Sequence, residues 1–229
     1  MHVQTTPRAK ARKPAAKRGH APTELSREAI RGAALALIDQ DGLPTFSTRK
    51  LGRALGCEAM AIYWYYPSKD ALLDAVVDQL VAPVGGAAVA DAADWIGALR
   101  QIAHAYRRIA HDHPHAFPLL ATRRFASEGS YAFLDQVFAL ARLHAIPDRT
   151  AAQFYRVVSS YCSGFALNEL AARPDPKAPS TAALRKRFPR VAEVSAWLEP
   201  QHLDEIFDFG LEILLEALAR TETERRRKR

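Results

Sequence analysis

Along most of this chain apolar residues return every three or four positions, and nowhere do they alternate at every second one. The first period lines up one stripe of a helix, whereas a half-buried strand needs the second. The pattern restricts the chain to an all-α fold. Alanine and leucine dominate, only 11 glycines occur, and 48% of the 229 residues are hydrophobic, enough to bury the core of one or two domains. Charges interrupt the apolar runs every few residues, so no membrane span is expected. No apolar block follows the basic N-terminal residues, so no secretory signal is expected either. Cys57 and Cys162 then read as reduced, buried thiols of a cytoplasmic protein.

The formal charge of +7 has to be located before it means anything. Residues 1–23 carry six basic residues and no acid, and Arg225–Arg229 are all cationic. Without those eleven charges, 21 basic residues face 25 acidic ones, a body of net −4. The basicity sits in a disordered arm (1–23) and a tail (221–229). Each is read equally well as a phosphate-contacting arm or as a solubility tail.

Ordered structure is expected from Ser26. Ile30, Ala33, Ala34, Leu37 and Ile38 form one helical stripe, with Gly42 and Pro44 ending it. A short helix follows, which Thr48 can cap and Gly56 ends. A third runs from about Glu58 to Tyr65 before Pro67. A fourth, near 69–82, carries Leu72, Leu73, Val76, Val77 and Leu80. Pro83–Gly86 is expected to break the chain and mark a domain boundary, separating residues 24–84 from 85–220. Further helices are expected near 92–112, 115–125, 128–145, 148–173, 188–198 and 201–220, with Arg173–Thr181 as a proline-rich mobile loop.

Two short helices joined at Gly56 are the core of a helix-turn-helix, placed at 47–66, and the glycine suits a turn with positive φ. Ser47 and Thr48 open the first helix of the pair, where hydroxyls and free N–H groups suit a phosphate oxygen. Arg49 and Lys50 follow, and a guanidinium can bond two acceptors of a guanine at once, making Arg49 the expected base reader. Ala59, Met60 and Ala61 open the second helix and suit thymine methyls. Tyr63 and Tyr65 offer hydroxyls, Trp64 fits either core or interface, and Lys69 can reach phosphate. The bland alternative is a solvated surface helix, but aromatics beside Arg49, Lys50, Arg53 and Lys69 make an odd solvated face.

The run Ser47–Gly56, with Ile62-Tyr63-Trp64-Tyr65-Tyr66 and Lys69-Asp70-Ala71-Leu72-Leu73, closely resembles the DNA-binding domain of the TetR family of transcriptional regulators. The specific resemblance covers roughly residues 24–84. It is strongest toward the tetracycline-repressing branch at Thr48-Arg49-Lys50-Leu51, Tyr63-Trp64 and Phe209-Gly210-Leu211-Glu212. It implies an N-terminal three-helix helix-turn-helix domain and a C-terminal helical domain that dimerises and binds a small-molecule effector. The expected function is a ligand-responsive homodimeric repressor on a palindromic double-stranded DNA operator.

Small residues Ser160 and Gly164 and the stripe Phe207, Gly210, Leu211, Leu214 and Leu218 are the expected dimer interface; intramolecular core is the alternative. Trp95, Ile102, Tyr106, Leu119, Phe138, Phe154, Tyr161 and Asn168 are the expected effector pocket, with His104, Gln136 and Glu169 as further polar candidates. The resemblance implies that Ile102, Leu119 and Asn168 stand where that branch holds a magnesium–drug complex, so a metal-chelated drug is not expected here. His111, His113 and His115 alternate, which suits zinc only if the loop folds around it and otherwise suits a solvated helix end. No metal or cofactor is expected. No phosphate loop, nucleophile elbow or paired metal motif occurs, so no enzyme is expected. An architectural DNA protein working through its basic tails is the remaining alternative. It would bind without sequence preference and lose that binding with salt.

Overall fold

The computed structural model describes residues 25–90, 94–123, 127–171 and 181–227. Among these the fold is all-α, with eleven helices and no strand. The expected arm (1–23) and residues 173–180 of the expected proline-rich loop lie outside the described residues.

Helix α1 (Arg27–Asp41) begins where the Ser26 hydroxyl accepts from the Ala29 N–H at 3.1 Å. It ends at Gly42, whose φ is +82° and whose N–H donates to the Ile38 carbonyl. Ile30, Ala34, Leu35 and Ile38 form its buried face, while Ala33 and Leu37 sit at the edge. After a 3-10 turn at Leu43–Thr45 come α2 (Thr48–Leu55), α3 (Ala59–Tyr63) and α4 (Lys69–Ala90). Leu51, Ile62, Tyr66, Leu72 and Val76 join the α1 face in one core.

α4 departs from the sequence reading. The expected break at Pro83–Gly86 is absent, and the helix passes through Pro83 to Ala90. An interior proline forfeits one hydrogen bond and crowds the preceding turn, at about 3 kcal/mol. Buried Val76, Val77, Leu80, Val81 and Val84 flank it on both sides, and burial at about 1.5–3 kcal/mol per large side chain outweighs that cost. The expected boundary at residue 84 therefore falls inside a continuous helix.

α5 (Trp95–Asp112), α6 (Phe117–Thr122), α7 (Glu128–Leu143) and α8 (Asp148–Ala171) pack around the far end of α4. α9 (Thr181–Arg187) and α10 (Pro189–Val194) follow, then 3-10 turns and α11 (Leu203–Arg227). α9 was not expected, and α11 runs seven residues past its expected end into the basic tail. Phe207, Leu211, Leu215 and Leu218 of α11 are buried within the chain. The buried Arg107 of α5 clamps this corner: its guanidinium donates to Glu169 on α8 and Asp204 on α11, and lies 4.7 Å from the centre of the Phe207 ring. A buried cation needs such pairing, because an uncompensated one would cost several kcal/mol. By contrast α10 and the turn after it leave Phe188, Val191, Val194, Trp197 and Leu198 exposed.

Candidate nucleic-acid interface and ligand cavity

α2 and α3 meet at Gly56, which has φ +70° and ψ 26° as the turn requires. The cap of α2 is Ser47, one residue before the expected Thr48; its hydroxyl accepts from the Lys50 N–H at 3.3 Å. Sequence reasoning missed Gly52. A Cβ there would lie 2.7 Å from the Cys57 carbonyl oxygen, so only glycine lets α2 close onto the turn. A glycine in the middle of so short a helix was the available signal.

The structure gathers most of the expected interface on one outer ridge. Arg49 is exposed, and among the described residues it takes part in no ion pair. Met60 is 70% exposed, Trp64 is 89% exposed, and Tyr63 is exposed beside them. Trp64 is thereby placed outside the core, although its residue type allowed either position. Thr48 Oγ1 and the Tyr63 hydroxyl stand 3.4 Å apart across the α2–α3 elbow. Ala59 and Ala61 are half-buried. Lys50 leans toward Asp41 at 3.5 Å.

Three side chains in this region have partners within the chain. The Tyr65 hydroxyl donates to the Leu25 carbonyl at 2.7 Å, and the Tyr66 hydroxyl donates to the Arg27 carbonyl at 2.9 Å. Tyr65 thus pegs α3 to the start of α1 and does not offer its proton outward, as its residue type had suggested. Lys69 donates to the Phe46 carbonyl at 3.0 Å and sits over the Phe46 ring. Two of its three protons stay available to a phosphate.

The alternating histidines do not converge on one point, and two of them meet Asp39. His113 Nδ1 meets Asp39 Oδ2 at 2.7 Å, His115 Nδ1 meets the Asp39 carbonyl oxygen at 2.7 Å, and His111 Nε2 lies 3.6 Å from Glu169. The α5–α6 corner is thereby clamped to α1. Arg123, just past α6, adds a second tie, donating to Asp74 at 2.8 Å and to Asp70 on the first turns of α4.

Behind these ties lies a cavity of about 70 Å³, walled by α4, α5, α6, α7 and α8. α4 contributes Val77, Val81 and Val84; α5 contributes Leu99, Ile102, Ala103 and Tyr106; Ser130, Phe133, Tyr155, Val158 and Cys162 complete most of it. Of the expected pocket residues only Ile102 and Tyr106 line it. Trp95 and Leu119 are buried in the core, and Phe138 packs edge-on to Tyr155 from outside the lining. Phe154 faces a groove on the other side of α8, and Asn168 is exposed. The Tyr161 hydroxyl donates to the Phe207 carbonyl at 2.9 Å, and burial pushes its pKa up to about 12. Glu169 is committed to Arg107, His104 lies 3.5 Å from Asp208, and Gln136 is exposed.

The expected dimer stripe is also rearranged. Phe207, Leu211 and Leu218 are buried inside the protomer, Leu214 is half-buried against the same core, and Gly210 faces Tyr161, which a Cβ would strike. The outward face of α11 instead carries Phe209, 69% exposed, and Ile213, 49% exposed. Ser160 and Gly164 do lie outward on α8, in a row with exposed Val157 and Leu167.

A helix-turn-helix with an exposed recognition ridge, carried on a long helix that walls an apolar cavity, defines a regulator that reads DNA with one end. Residues 30–76 match the family model "Bacterial regulatory proteins, tetR family", and residues 89–221 match "Tetracyclin repressor-like, C-terminal domain". The chain belongs to the TetR family and is a transcriptional regulator with a DNA-binding domain. It is 28% identical to the class A tetracycline repressor protein of transposon 1721 from Escherichia coli, over 86% of this chain and 92% of that one. A possible TetR family transcriptional regulator from Streptomyces coelicolor A3(2) superposes with a TM-score of 0.72 at 27% identity, covering 86% and 100% of the two chains. The S. coelicolor TetR family protein ActR in complex with actinorhodin gives 0.70 at 21% identity, covering 87% and 99%. Among the described residues no helix is long and apolar enough to cross a membrane.

Proposed function

We propose that this protein is a homodimeric repressor that binds a palindromic operator through Ser47–Lys50 and Ala59–Trp64 and lets go when an effector fills the cavity. One observation carries the reading: the helix that walls the cavity with Val77, Val81 and Val84 is the one whose first residue, Lys69, abuts the helix-turn-helix. At ~1.5 Å per residue its 22 residues make a lever of about 33 Å. A ligand wedged against one end therefore moves the other. The ligand-bound relative above supports an effector in this fold. The outward row Val157, Ser160, Gly164 and Leu167, beside Phe209 and Ile213, supports a four-helix interface with a second copy. That is the opposite face of α11 from the one the sequence stripe suggested.

The test is selection of bound sequences from a random double-stranded DNA pool, followed by titration of the winner against salt. A two-fold symmetric consensus with half-sites one helical turn apart is expected. Binding without a consensus, abolished by modest salt, would return the protein to the architectural class.

A further inference from the structure

We infer that the effector is an uncharged, mainly apolar molecule that carries a hydrogen-bond donor, and that Ser130 accepts that bond. This rests on the cavity being the effector site, and it follows from the cavity's own proton accounting. Among the described residues its lining contains no Asp, Glu, Lys, Arg or His. Arg107 is committed to Glu169 and Asp204, Arg123 to Asp70 and Asp74, and Asp78, beside Val77, accepts from Ser127. An ionised ligand would exchange water for aliphatic walls without a counter-charge, which strongly opposes binding.

The polar marks in the lining are hydroxyls and a thiol, and two of the hydroxyl protons can be traced. Ser127, the cap of α7, donates its hydroxyl proton to Asp78 on α4. Its oxygen lies 2.9 Å from Ser130 Oγ. Having given its only proton to the carboxylate, Ser127 must accept there, so Ser130 is the donor. Ser130 therefore turns a lone pair, not a proton, toward the cavity. Ser159, also in the lining, donates its proton to the Arg156 carbonyl at 3.2 Å. A ligand that brings a hydroxyl or N–H to Ser130 completes this chain, whereas one that brings only an acceptor there meets a lone pair. The chain ends on α4, so a donor at Ser130 also touches the helix that carries the DNA-binding domain.

Three probes of matched shape separate the possibilities in the full-length protein at pH 7: 2-naphthol (neutral donor), 2-methoxynaphthalene (neutral, acceptor only) and 2-naphthoate (anion). Affinities are read by fluorescence titration and calorimetry. The naphthol is expected to bind about tenfold more tightly than the ether, and the naphthoate at least about a hundredfold more weakly than the naphthol. Ser130→Ala should remove the naphthol's advantage without weakening the ether, whose retained binding also reports that the variant's cavity is intact. Naphthoate binding as tightly as naphthol, naphthol unaffected by Ser130→Ala, or no binding by any probe overturns the inference. Operator affinity is measured separately: naphthol that binds as expected without weakening operator binding sustains the ligand class and removes the effector reading.

Discussion

At the exposed edge of α2, Arg49 has no ion-pair partner among the described residues, so replacing it tests recognition with little effect on the fold. Arg49→Ala should cost about 1–3 kcal/mol of specific binding and relax preference at one base pair in each half-site, measured against operators varied at each position. Lys69→Ala behaves differently, because its ammonium also holds the Phe46 carbonyl. It should weaken all sequences alike, flatten the salt dependence, and lower the melting temperature as well. Equal, sequence-independent losses for the two variants would remove Arg49 as a base reader. Inside the second domain, Tyr161 gives a pH signature. Its pKa is pushed up to about 12 by burial, against an unfolded value of about 10. Between those values the folded chain keeps a proton that the unfolded chain has lost. The contribution is fully present below the unfolded pKa and is lost as pH rises through the folded one. Urea unfolding from pH 9 to 12 should show falling stability, with a shallower fall in Tyr161→Phe; Tyr66, also raised by burial, keeps part of the slope.

Among the elements, α4 shows where local rules stop. Pro83 was the strongest breaker signal in that part of the sequence, and it was overridden by valines and leucines whose burial depends on α5, α6 and α7, which no local window contains. Pro83→Ala should therefore restore a backbone bond to the Gln79 carbonyl and raise stability by up to about 3 kcal/mol; an unchanged or lowered melting temperature would mean that the helix needs its proline. The helix-turn-helix was legible because its cues are local: hydroxyl residues opening α2, a left-handed Gly56, and a proline after the aromatics. The partners of the aromatics were not. Tyr63, Tyr65 and Tyr66 look alike in sequence, yet only the fold decides that Tyr63 faces outward while its neighbours bond to α1. The stripe on α11 had the same ambiguity. Periodicity reveals that Phe207, Leu211 and Leu218 need burial, and it is silent on whether the burying surface belongs to the same chain. The cavity was the least legible of all, because a gap appears where several helices fail to meet, and each helix alone shows only an apolar face.

For the molecule as a whole, the proposed function requires two recognition helices at a fixed separation and a rigid path from cavity to DNA. The first requirement falls on the outward faces of α8 and α11. Ile213→Asp should convert a dimer to monomers in sedimentation velocity and lose specific operator affinity, whereas Leu214→Ala, turned toward the core, should lower stability and leave the oligomer unchanged. The second requirement falls on α4 and on two ties that hold the DNA-binding end against the cavity walls, His113 and His115 on Asp39, and Arg123 on Asp70 and Asp74. Linkage makes the path measurable: whatever factor an effector removes from operator affinity, saturating operator must remove from effector affinity. If α1 merely swung freely at the end of α4, a displacement of Val81 would be absorbed at the joint between α1 and the α5–α6 corner, and little of it would reach Arg49. His113→Ala opens that joint without touching the cavity lining or the recognition ridge. Each affinity measured alone should then stay within about threefold of the wild-type value, while the coupling factor falls several-fold toward one. Effector titrations with and without saturating operator, in wild type and variant, supply the four affinities needed. A coupling factor unchanged in His113→Ala would mean that α4 alone carries the signal and that the histidine clamp serves stability only.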